Sequence, residues 1–124
     1  MLRNFLLVGA GGAAGSILRY AVALMLPRAG KGFPWATLSV NLIGCLLIGM
    51  LAGLVPRHSW MLHTGWVLLA TGLCGGFTTY SAFALDNVKL FEVGGNITAL
   101  TYTLISLVAG IILCYAGYAI AAGR

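Results

Sequence analysis

Four long apolar stretches separated by short polar breaks set the pattern of this chain: residues 5–26, 35–55, 64–85 and 97–122. Each holds at least the about 20 residues, rising about 1.5 Å apiece, that a helical crossing of a bilayer needs. The last has room for tilt or an overhang. The breaks carry turn and charge residues: Pro27, Arg28, Gly30 and Lys31, then Pro56, Arg57 and His58, then the run from Asp86 to Gly95. Trp35, Trp60 and Trp66 fall near the predicted interfaces, where an amphipathic ring is favoured. The pattern predicts one all-α integral membrane domain over 1–124, with four transmembrane helices and no further domain, linker or repeat.

Residues 72–83, GLCGGFTTYSAF, disturb the third stretch. Glycine favours departure from a helix, and hydroxyls offer hydrogen bonds where lipid offers none. Non-helical backbone at membrane depth persists only where it is buried in protein or lines a wet cavity. The run therefore predicts a site where something polar is held inside the bilayer.

Composition supports the membrane class. The chain is 60% hydrophobic and 7% charged, against about a quarter charged in a soluble domain, and its mean hydropathy is +1.00. The net charge of +5 comes mainly from residues between apolar segments, so they read as membrane-flanking anchors rather than a nucleic-acid surface. Cys45, Cys74 and Cys114 lie far apart in apolar segments and read as small core residues. The N-terminal stretch superficially resembles a signal peptide, but its apolar run continues to Leu26, which argues against cleavage.

Orientation should follow lysine and arginine. Arg3, Arg57 and Arg124 fall on one side and Arg28, Lys31 and Lys89 on the other, with Arg19 inside the first span. The usual bias is absent. Insertion both ways up, followed by pairing of opposite copies about a two-fold axis, fits this balance; one orientation set by other signals also fits.

Several polar residues lie inside the spans. Arg19 either snorkels to the interface or places a positive charge in a wet vestibule. Thr37, Asn41 and Gly44 share one helical face, and Asn41 serves either as interhelical glue or as a donor to a polar pathway. Tyr102, Ser106 and Gly110 form a partly polar stripe on the last span. Phe77, Tyr80 and Phe83 would cluster if the chain is helical there, and ring edges are electropositive. Gly11/Gly15, Gly49/Gly53 and Gly72/Gly76 follow the small-xxx-small pattern of close helix approach, which predicts tight packing and self-association. The predicted spans hold no Asp or Glu, with Asp86 and Glu92 just beyond the third, and this disfavours a proton-coupled cation exporter. No nucleophile–base pair or metal-ligand spacing is present, so an enzyme is not expected, and His58 and His63 read as interface residues.

The segments GGAAGSILRY, ATLSVNLIG and GLCGGFTTYSAF, in this order in so short a four-span chain, resemble the small fluoride channels of the Fluc/CrcB family. The resemblance covers essentially the whole chain. It implies a passive fluoride channel in the bacterial inner membrane. It further implies an antiparallel, dual-topology homodimer with two pores and a third helix broken mid-membrane. Asn41, Tyr80, Phe83, Ser81, Tyr102 and Ser106 would line the pore, with Thr37 approaching it and Arg19 at the vestibule. Backbone carbonyls of Gly75 and Thr78 from both copies would hold a structural sodium ion. Two positions depart from the family pattern: Tyr80 stands where Phe is usual, and Ala82 where Thr or Ser is usual. The competing readings are a small multidrug-type exporter and a structural membrane subunit without transport.

Overall fold

The computed structural model describes residues 1–26 and 32–124. The predicted turn at 27–31, with Arg28 and Lys31, lies outside the described residues. Helix α1 is Leu2–Met25 and α2 is Trp35–Leu54, entered through Pro34. Two short 3₁₀ turns, Val55–Arg57 and Ser59–Leu62, lead to a π-wound segment, Trp66–Cys74, continuous with the short α3, Gly75–Phe77. Thr78 and Thr79 are extended, and α4 then runs Tyr80–Glu92. Helix α5, Asn96–Ala122, ends on Gly123, whose φ of 70° is the left-handed conformation that glycine adopts without a Cβ clash. Four helical stretches are long and apolar enough to cross a membrane: Leu2–Met25, Trp35–Arg57, Trp66–Glu92 and Asn96–Ala122.

The third stretch corrects one expectation. The apolar pattern ends at Leu85, but the helix continues to Glu92. Hydropathy marks where lipid contact ends. It does not mark where a helix ends, and no Gly or Pro stands between Leu85 and Gly94 to stop this one. Asp86 and Glu92, expected in a loop, are therefore helical residues.

The glycine pairs act within the chain. A Cβ built on Gly15 would collide with the Leu73 carbonyl and stand 2.8 Å from the Phe77 nitrogen, and one on Gly11 would collide with the Leu68 carbonyl. Gly72 and Gly76 answer from the other side, against Gly11 and Gly12. Backbone thus packs on backbone between α1 and the π-wound segment. Gly49 and Gly53 give α2 the same close approach to Cys114 and Tyr118 of α5, and Gly117 returns it toward Leu46 and Met50. Lipid supplies little drive for helices to associate, so such contacts, together with hydrogen bonds, must hold the bundle. The glycine pairs thus meet the expectation of tight packing within the single chain.

The buried cluster Leu38, Leu90, Ala99 and Tyr102 joins α2, α4 and α5, with Phe33, Leu42 and Phe83 packed on it. At the opposite end, Arg57 donates from Nη2 to the Ala122 carbonyl at 2.7 Å. That bond satisfies one of the carbonyls left open at the end of α5. It also places Arg57 beside the chain's C-terminal residues, consistent with their shared side in the charge map.

Candidate functional site

The site is built around the two extended residues between α3 and α4. Asn41 of α2 grips Thr79 through both of its polar atoms. The Thr79 N–H donates to Asn41 Oδ1 at 2.8 Å, and Asn41 Nδ2 donates to the Thr79 carbonyl at 3.1 Å. The Thr79 hydroxyl accepts from the Ala82 N–H at 3.2 Å, capping α4, and lies 3.3 Å from Ser81 Oγ. Thr78 Oγ1 donates back to the Cys74 carbonyl at 2.9 Å. Asn41 and the Thr79 hydroxyl thus take up backbone groups left without a helical partner, whereas the Thr78 hydroxyl shares the Cys74 carbonyl with its own N–H.

These bonds redirect two donors. In a continuous α-helix the Thr79 N–H would serve the Gly75 carbonyl, and the Ala82 N–H would serve the Thr78 carbonyl. Here both go to side-chain oxygens. Gly75 is also exposed, and a Cβ built on it would meet nothing within 4 Å.

A cavity of about 410 Å³ opens beside this segment, lined by Asn41, Thr78, Thr79, Tyr80, Phe83 and Ser106 among others, with Gly75 at its wall. None of its lining residues is Asp, Glu, Lys or Arg. Ser106 Oγ is buried and has no hydrogen-bond partner among the described residues. Such an orphan is uncommon in a folded protein and calls for a reason. A second cavity, of about 320 Å³, is lined by Arg19, Thr37, Thr79 and Ala82, among others. Thr79 is the one residue lining both.

The aromatic residues divide. The Tyr80 and Phe83 rings lie 5.8 Å apart at 39°, and Phe83 lies 5.1 Å from Tyr102 at 46°. Phe77 is buried on the far side of the extended pair, near Gly15 and Gly44. The three-residue spacing that would have joined it to Tyr80 fails because the chain is not helical at Thr78 and Thr79.

The structure thus brings Asn41, Tyr80, Phe83, Ser106, Gly75 and Thr78 to one cavity, and Arg19 and Thr37 to its neighbour. Ser81 and Tyr102 line neither. Ser81 points its hydroxyl at Thr79, and Tyr102 is fully buried behind Phe83. Sequence reasoning missed four participants. Thr79 is the largest omission, and its signal was local: a threonine one residue before the helix Tyr80–Glu92 is an N-cap residue type. Asp86 accepts from the Thr37 hydroxyl at 2.7 Å, so Thr37 is held by a carboxylate of α4. Asn87 donates to the Phe83 carbonyl at 3.1 Å and accepts from Thr103 at 2.9 Å, anchoring the backbone of Phe83 to α5. Nothing in the linear pattern distinguishes these last three from surface polar residues.

Residues 6–118 match the family described as CrcB-like protein, Camphor Resistance (CrcB). The chain is 46% identical over 120 residues to a fluoride-specific ion channel FluC of Rhizobium meliloti (strain 1021), covering 96% of each chain. It is 47% identical over 123 residues to the protein of that name in Paracoccus denitrificans (strain Pd 1222), covering 99% of this chain and 98% of that one. Its counterpart in Azobacteroides pseudotrichonymphae genomovar. CFP2 is 41% identical over 119 residues, or 95% of each chain.

Proposed function

The chain belongs to the CrcB-like family, and from that membership we infer that it is a multi-pass membrane protein that conducts fluoride as an ion channel and is not an enzyme. The observation that carries the reading at the site is the cavity beside Thr78 and Thr79. It offers an amide, hydroxyls and ring edges, with no fixed charge on its wall. Fluoride is small and strongly hydrated, so losing its water requires close replacement donors. Asn41 has two amide hydrogens. One goes to the Thr79 carbonyl, and the second is the donor we assign to the anion. The bond from the Thr79 N–H also holds Oδ1 toward the backbone, so the amide presents its donor to the cavity and not its acceptor. Donors without a full charge suit conduction, which needs binding strong enough to enter and weak enough to leave. Arg19, at the neighbouring cavity, would raise the local concentration of anions.

Ser106→Ala tests this use of the cavity. Because its oxygen has no hydrogen-bond partner among the described residues, deleting it should not lower the thermal unfolding midpoint. Fluoride efflux from liposomes should fall, by about tenfold, because a buried donor such as the Ser106 hydroxyl replaces the ion's water and so lowers the barrier to entry, unlike a donor at an exposed position, which only delays departure. A destabilised variant with parental efflux would assign Ser106 to packing.

The finer architecture is part of the same proposal. We read the stretch Trp66–Glu92 as one span broken at Thr78 and Thr79, and the working unit as an antiparallel, dual-topology homodimer with two pores. The balanced charge map supports opposite insertion, and the exposure of Gly75 and Tyr80 supports a covering partner. The residues also fit a structural sodium ion. The Gly75 and Thr78 carbonyls have lost their helical donors, and carbonyl oxygen suits a hard cation. Two copies would together offer four such oxygens around an ion that stays in place while the anion moves. The family's inner-membrane setting belongs to this reading too. Thiol labelling of a cysteine added at either terminus should occur from both faces of the membrane; labelling from one face alone would refute dual topology.

A further inference from the structure

We propose that Asn41 and the Thr79 hydroxyl are the groups that keep the Gly75 and Thr78 carbonyls open to a cation, so that Asn41 serves the anion cavity and the cation site at once. The inference rests on the sodium reading above. Two donors decide it. Asn41 Oδ1 accepts the Thr79 N–H that a helix would return to Gly75. Thr79 Oγ1 accepts the Ala82 N–H that a helix would return to Thr78. Each side chain stands in for one carbonyl, and each carbonyl is thereby released. The second Asn41 bond, to the Thr79 carbonyl, fixes the amide so that the first is maintained. Loss of either side-chain acceptor leaves a backbone N–H that regains a partner when Thr78 and Thr79 turn from extended to helical, and that partner is then the carbonyl that would bind the cation. Thr79, assigned no role by the sequence, and Asn41, assigned to the pore, thus become positioning residues for a site neither one touches with its side chain.

The test is the thermal unfolding midpoint of the purified protein against sodium concentration, with N-methylglucamine holding ionic strength constant. An ion that binds only the folded state raises that midpoint. The parent should respond to sodium. Asn41→Ala and Thr79→Val should each need about tenfold more sodium for the same rise, the equivalent of one hydrogen bond turned against the ion. Thr79→Ser keeps the hydroxyl and should restore the parental response. A merely structural role would lower the midpoint at every salt composition without changing its dependence on sodium. Parental sodium response in both Asn41→Ala and Thr79→Val overturns the proposal. If Asn41→Ala does not fold, Thr79→Val against Thr79→Ser decides it. A parent indifferent to sodium overturns the cation reading itself, and this coupling with it.

Discussion

Gly15→Leu leaves no folded protein. The Cβ alone would collide with the Leu73 carbonyl and crowd the Phe77 nitrogen and the Gly76 carbonyl carbon. All three are backbone atoms, so no rotamer change relieves the contact, and α1 must part from the π-wound segment. Overpacking a core with movable side chains costs about 1–3 kcal/mol, and this seam has none to move, so the cost should exceed about 3 kcal/mol. The measurement is the monodisperse peak and unfolding midpoint of the detergent-solubilised protein. Gly9→Leu is the control on the same helix. A Cβ at Gly9 meets nothing within 4 Å, and leucine is the better helix former there. Gly9→Leu should fold normally while Gly15→Leu is lost. Equal behaviour of the two would show that α1 does not seat on the third span through Gly15.

Tyr80→Phe speeds fluoride efflux. The Tyr80 ring lies 5.8 Å from Phe83 at the cavity wall, and its hydroxyl is a donor within the same lining. A hydrogen bond to a charged species contributes about 1.5–3 kcal/mol. An anion held that much more firmly leaves more slowly, so removing the hydroxyl should raise the efflux rate by about tenfold. The ring, its packing against Phe83 and the fold should be retained, because Tyr80 is 81% exposed in the single chain and its oxygen supports nothing in the core. Initial rates from liposomes carrying the two proteins at equal density decide it. Equal or faster efflux through the tyrosine form would show that its hydroxyl does not retain the ion.

The fold was legible where lipid imposes its own rules. Four apolar stretches of crossing length could be read directly, because every backbone polar group in a bilayer must be satisfied within its segment. The helix that continues past Leu85 was not legible, because polarity and helicity part company at Asp86, Asn87 and Lys89. Close approach through Gly11, Gly15, Gly49 and Gly53 was readable as a tendency, but the partner helix was not. Spacing says that a face is small and does not say what it meets.

The candidate site was legible in its residue types and only partly in its logic. Asn41, Tyr80, Phe83 and Ser106 do meet at one cavity. By residue type alone, the hydroxyls of the 72–83 run face something polar. Two of them instead serve the backbone: Thr78 donates to Cys74, and Thr79 caps α4. That division depends on which donors the extended backbone at Thr78 and Thr79 leaves behind, a three-dimensional fact with no trace in spacing. The absence of carboxylates from the predicted spans was a weaker argument than it looked, since Asp86 is helical and bonded to Thr37 beside the second cavity. The assignment of an anion now rests on the uncharged lining of the first cavity and on family membership.

Selective passage of fluoride is measured most directly as ion release from liposomes containing the purified protein. Vesicles loaded with potassium fluoride or potassium chloride are treated with a potassium ionophore, and the external anion is followed with a selective electrode. Fluoride should leave promptly, while chloride stays at the level of protein-free vesicles. Retention of fluoride by both this protein and Tyr80→Phe, or release of chloride alongside fluoride, would contradict a fluoride-selective channel.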